Sequence, residues 1–156
     1  MNPVLVLGIG NDILKDDVIG IRLARDLEAS GEFSGVRFDT TSMGGLEILE
    51  MIREYHTVII LDAIKTAGGV PGEVYYYSPD DFRETLNLAN LHDINFLTSL
   101  ELARRIGMKV PETVHILAVE ILEDLEFGSE MTPPLQQRYP QIFQEIKFRI
   151  KNLLSR

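Results

Sequence analysis

Carboxylates cluster where this chain first turns. Gly8-Ile9-Gly10-Asn11 is followed by Asp12, Asp16 and Asp17. Further along, Asp39 and Asp62 each follow an apolar run, and His92 stands in a polar stretch ahead of another. Carboxylate oxygens and an imidazole suit a hard-to-borderline divalent cation, and three ligands from separate loops leave coordination positions open for a substrate. A phosphate would be repelled by the same aspartates. The dinucleotide fingerprint is also incomplete, because Ile13 stands where its third glycine belongs, and no P-loop Lys-Ser/Thr occurs. The first turn reads as a cation loop, with a nucleotide-binding module as the disfavoured alternative.

Plainer readings compete at each position. Asp17 also fits a first-turn helix residue favoured by the dipole, Asp62 a turn residue or cap, and His92 a surface side chain. Their coincidence at one edge carries the functional reading. His115 falls inside an apolar strand and reads as a packed or hydrogen-bonded core histidine, and His56 as surface. Tyr75, Tyr76 and Tyr77 read as strand residues, since no basic residues interleave with them as a nucleic-acid stacking platform requires.

The elements that must position these groups follow from periodicity. Residues 3–9 are apolar throughout, as a strand buried on both faces would be. Val18, Ile21, Ala24 and Leu27 then recur at helical spacing over about 17–29, and Ser30-Gly31 ends that helix. A strand at 36–39, a helix carrying Leu46, Ile48, Leu49 and Ile52, and a strand at 57–61 with Asp62 at its edge complete β-α-β-α-β. That alternation is the mark of a parallel sheet with helices on both faces. If the strands are parallel, Asp17, Asp39 and Asp62 gather beyond their carboxyl ends, where open α/β sheets bind ligands.

Residues 67–72 are turn-rich, and the strand at 73–77 is reached without a helix. It should therefore pair antiparallel, because a parallel crossover needs a dozen or more residues. Ser78-Pro79 opens a short helix near 80–87. A helix over 95–106 buries Phe96, Leu97, Leu100 and Ala103 and stops at Gly107, with His92 in the polar stretch before it. A strand at 113–119 follows, then a polar loop over 120–131. Thr132-Pro133 caps a last helix bearing Tyr139, Ile142, Phe143, Ile146, Ile150 and Leu153, which Pro140 either starts or kinks. With no internal repeat and no linker, residues 1–156 read as one domain.

Bulk properties narrow the partners. A net charge of -9 opposes nucleic acid and anionic membrane surfaces. The absence of cysteine removes disulfides, thiol catalysis and thiolate metal sites. No charged leader precedes the first strand, and no apolar run approaches the roughly 20 residues of a membrane span. A soluble cytoplasmic protein, probing no membrane and no nucleotide, is the expectation.

Taken together, Leu7-Gly8-Ile9-Gly10-Asn11, Asp16-Asp17-x-x-Gly20, Leu61-Asp62-Ala63, Pro71-Gly72, His92 before a Leu-rich helix, and Met131-Thr132-Pro133 resemble one family. It is the hydrogenase maturation endopeptidases, which trim the large subunit of nickel-iron hydrogenases. The resemblance implies a three-layer α/β/α sandwich on a five-stranded, mostly parallel sheet of order 2-1-3-5-4, with strand 4 antiparallel. It implies Asp17, Asp62 and His92 as the metal-binding trio, and Asp17 and Asp62 as the catalytic carboxylates. The metal implied is nickel already seated in the precursor of the large subunit, whose C-terminal extension is then removed. Water would be activated either by the metal as a Lewis acid or by one carboxylate as general base. With no cysteine and no His-Glu-x-x-His, the free chain is expected to hold little metal. A monomer is expected. A non-hydrolytic nickel-checking binding protein or chaperone is the alternative. Two departures fall on loops near the expected cleft. Asp39-Thr40-Thr41-Ser42 stands where many relatives have Asp-Gly-Gly-Thr, and Glu120-Ile121-Leu122-Glu123 stands where a proline is common.

Overall fold

Apolar runs at the first and third strands set the sheet, and short turns decide what pairs beside them. In the computed structural model, residues 3–11, 13–42, 44–81, 91–122, 126–128 and 130–156 are described, 91–95 by backbone alone. The chain runs β1 (Val4–Ile9), a 3-10 turn (Asp16–Val18), α1 (Ile19–Ser30), β2 (Val36–Thr41), α2 (Leu46–Ile52) and β3 (Thr57–Ile64). It continues through β4 (Val74–Tyr77), α3 (Leu91–Arg105), β5 (Thr113–Glu120) and α4 (Pro133–Leu154). The sheet order is β2-β1-β3-β5-β4, with β4 antiparallel to β5 and the other pairs parallel. The short β3–β4 connection forces that one reversal, as the missing crossover requires.

Side-chain parity along the strands divides the core in two. Leu5, Leu7, Ile60, Ile64, Ile116 and Ala118 pack with α2 and α3. Val6, Ile59, Leu61, Ala63, Leu117 and Val119 pack with α1 and α4. The result is a three-layer α/β/α sandwich. Among the described residues no helix is long and apolar enough to cross a membrane.

Several boundaries differ from the sequence-based expectation. β3 runs to Ile64, so Asp62 lies within the strand instead of at its edge, and β2 runs past Asp39 to Thr41. Both strands extend because their neighbours keep offering ladder partners: Asp62 pairs with Ala118, Asp39 with Leu7 and Thr41 with Ile9. α3 starts at Leu91, which puts His92 in its first turn and not in a loop ahead of it. Asp17 precedes α1 in a 3-10 turn. α4 is continuous through Pro140, which is exposed along with Gln136. The carbonyl deprived of its N–H partner by Pro140 is then on the watered side of the helix. Ser78 Oγ accepts from the Asp81 N–H at 3.3 Å as a helix start should. The chain is helical from residue 79 to 81, and the remainder of the short helix expected near 80–87 lies outside the described residues.

Candidate active site at the carboxyl rim

Two glycines bring the Asp17 turn down onto the sheet. A Cβ on Gly20 would stand 2.3 Å from the Leu61 carbonyl oxygen and 2.7 Å from that of Ile9. A Cβ on Gly10 would stand 2.1 Å from the Asp17 carbonyl oxygen. Only hydrogen fits in either gap, so the start of α1 sits directly on the end of β1 and on Leu61 within β3. Asp17 is half-buried there.

Asp62 is only 4% exposed. Its Oδ1 accepts the Ala63 N–H at 2.9 Å. By strand parity it shares a face with Ile60 and Ile64, whose cluster includes Phe96, Leu97 and Leu100 of α3. That is the face α3 covers.

The course of α3 brings His92 toward the same rim. At its far end Gly107 takes φ 81°, its N–H donates to Arg104 O, and Met108 N–H donates to Ala103 O. This Schellman closure is followed within a few residues by the start of β5 at Thr113, so α3 ends at the amino rim and begins toward the carboxyl rim. Fifteen helical residues span about 22 Å, close to the roughly 26 Å of an eight-residue strand such as β5. Residue 92, the second of α3, is therefore at the end of the helix away from the amino rim. Its imidazole is outside the described side chains. Among the described residues no three His, Cys, Asp or Glu side chains gather closely enough to hold a metal.

The first-turn aspartates do not act together. Asp16 is fully buried, and its carboxylate accepts hydrogen bonds from Thr132 N–H (2.7 Å), Thr132 Oγ1 (2.9 Å) and Leu122 N–H (3.1 Å). It serves the protein interior, contrary to the reading of the whole loop as a cation cradle. Thr132 occupies the N-cap position of α4 as expected, yet its hydroxyl turns to Asp16 and makes no cap bond of its own. Asp12 lies outside the described residues.

Glu120 was not singled out as a site residue from sequence. It ends β5 and is 1% exposed. Its carboxylate accepts from the Thr66 N–H (2.8 Å), the Thr66 hydroxyl and the Tyr75 hydroxyl (3.1 Å). Burial, with hydrogen bonds to Glu73 and Glu120, pushes the Tyr75 phenol well up, so it stays a proton donor at neutral pH. The signal in the chain was parity: Ile116, Ala118 and Glu120 share the α3 face, so a carboxylate there had to be buried.

The other histidines lie elsewhere. His115 is hydrogen-bonded in β5 as expected, with Tyr76 Oη 2.6 Å from its Nδ1, but it is half-buried and not in the core. His56, at the amino rim, is partly buried beside Glu112, its Nε2 2.6 Å from the carboxylate.

A family model described as hydrogenase maturation protease matches residues 21–147. The chain belongs to that family. The matched stretch includes Asp62 and His92, while Asp17 lies just ahead of it. The hydrogenase expression/formation protein HupD of Thiocapsa roseopersicina is 26% identical over 86% of this chain. The match spans 62% of HupD's own length. The hydrogenase 2 maturation protease of Escherichia coli is 27% identical over 85% of this chain and 81% of its own. In fold, the chain is similar to the hydrogenase maturating endopeptidase HybD from E. coli, with a TM-score of 0.78 at 24% identity over 97% of this chain and 93% of that one.

Proposed function

We propose that this chain is an endopeptidase that removes the C-terminal extension of a nickel-iron hydrogenase large-subunit precursor once nickel has been inserted. Membership of the maturation protease family supports the reaction class. The observation that carries the site is Asp62, a nearly buried carboxylate in an otherwise apolar strand, on the face covered by the helix that begins with Leu91-His92.

In this reading nickel is part of the substrate, held by the precursor's own ligands. Asp17 and Asp62 offer carboxylate oxygens and His92 an imidazole nitrogen to the positions left open, a donor set suited to a borderline divalent ion. Engaging the ion anchors the precursor's tail along the rim. A water then attacks the carbonyl carbon of the scissile bond, the C–N bond breaks, and the water's proton passes to the leaving nitrogen. Asp17 or Asp62 carries that proton if a carboxylate is the base. The ion serves instead if it polarises the water.

The test is incubation with a nickel-loaded and a nickel-free precursor, followed by intact-mass measurement. Loss of a C-terminal fragment only from the loaded precursor is expected. Nickel-dependent binding without mass loss would identify a checking protein and overturn the hydrolytic reading. Cleavage of both forms alike would remove nickel from recognition.

A further inference from the structure

Asp16 and Asp17 are neighbours with opposite surroundings, one sealed and the other half-buried at the rim. The sealed carboxylate reaches two segments more than a hundred residues away in the chain. Its Oδ2 accepts from Leu122 N–H, two residues beyond the end of β5, and from the Thr132 hydroxyl, while its Oδ1 accepts from Thr132 N–H at the start of α4. The carboxylate also stands where the dipole of a 22-residue helix favours negative charge.

Residues 126–128, which lie between those two points in the chain, also meet the first loop. Lys15 N–H donates to Glu126 O at 3.1 Å, Gly128 N–H donates to Ile13 O at 3.0 Å, and Leu14 bridges Phe127. The Lys15 ammonium adds an ion pair to Glu126 at 2.8 Å. The turn before α1 is therefore held from three directions: below by the Gly10 contact, outside by this ribbon, and inside by Asp16. The Gly10 contact falls on the Asp17 main chain, and the Asp16 carboxylate is the buried side-chain tether one residue away.

We propose that Asp16 is a positioning residue for the processing reaction, fixing the 3-10 turn so that the Asp17 carboxylate is held ready at the rim. The inference rests on the reading of Asp17 as part of the processing site. A buried carboxylate is a poor means of adding stability, since apolar replacements often serve as well, whereas its directional bonds fix the register of what they join. Displacing a catalytic group by about 1 Å can cost on the order of a hundredfold in rate, so a tether one residue from Asp17 matters to kcat.

The experiment compares Asp16→Asn, Thr132→Ala and Thr132→Ser with the wild type. Steady-state cleavage of the nickel-loaded precursor is read together with amide hydrogen exchange. Asp16→Asn should lower kcat by about tenfold or more with KM within about twofold. Thr132→Ala, which removes one donor and keeps the backbone N–H, should lower kcat by a smaller factor, and Thr132→Ser should restore it. Exchange at Asp17 and Val18 should quicken in the two impaired variants, while the interior of β3 is unchanged. If Asp16→Asn fails to fold, the alanine and serine pair at Thr132 decides. A folded Asp16→Asn with wild-type kcat, a loss confined to KM, or Thr132→Ser no better than Thr132→Ala would overturn the inference alone. A wild type that cleaves nothing overturns the functional reading, and this inference with it.

Discussion

An aspartate inside a buried strand is expensive to desolvate, and Asp62 offsets that cost in part by accepting the N–H of its own successor, Ala63. The neighbouring strand offers no second acid at that level, since its partner in β5 is Ala118. Asp17 is more open, on a turn with glycine beneath it. These different environments suit complementary roles, one carboxylate rigid within the sheet and the other poised on the loop. Asp17→Ala, Asp62→Ala and His92→Ala should each abolish processing, read as complete loss of the cleaved mass, while keeping a cooperative melt. Each of the first two removes a carboxylate without taking a strand's apolar contacts, so stability should change by no more than about 2 kcal/mol. Wild-type cleavage by any of the three would take that residue out of the site.

Elements dock here by backbone contact as much as by side chains. Gly20 is the clearest case, because the atoms a methyl group would strike are main-chain oxygens of β1 and β3, which have nowhere to go. Gly20→Ala should destabilise the fold by about 3 kcal/mol, seen as a lower denaturant midpoint at unchanged slope. A second test concerns the pairing of β4 with β5. Burial, with a smaller contribution from the positive charge of Arg156, holds His115 below its ordinary value of 6.5. The unfolded chain then takes up the proton first as pH falls, so this histidine's contribution to stability is full above about 6.5 and declines below it. His115→Gln should flatten the acid-side decline in melting temperature between about pH 6.5 and 5.

Across the whole molecule, the proposed site draws on the loop after β1, the body of β3 and the start of α3. The proposed donors are two carboxylates and one imidazole with no thiolate, and the chain contains no cysteine to add one. Such a set with open positions should hold nickel weakly alone and firmly when the precursor supplies further ligands. Nickel titration of the free chain should therefore show weak binding removed by a chelator, and elemental analysis of the purified protein should find little metal. A full, chelator-resistant equivalent of zinc or nickel would contradict a substrate-borne ion.

Much of this was legible in the amino-acid sequence, because burial on both faces, helical spacing and loop length are local properties. They established the β-α alternation, the antiparallel β4 and the residues of the core. The family motifs added the strand order. What the tertiary structure alone decided was where neighbouring or isolated polar groups turn. Asp16 and Asp17 are identical in type and adjacent in sequence, yet one is fully buried with bonds to Leu122 and Thr132 and the other is only half-buried. Glu120 ends as the anchor of Thr66 and Tyr75 for the same reason. β3 outran its expected end because β5 kept pairing with it. Periodicity is written along the chain, but a hydrogen bond between residues a hundred positions apart exists only once folding has brought donor and acceptor together.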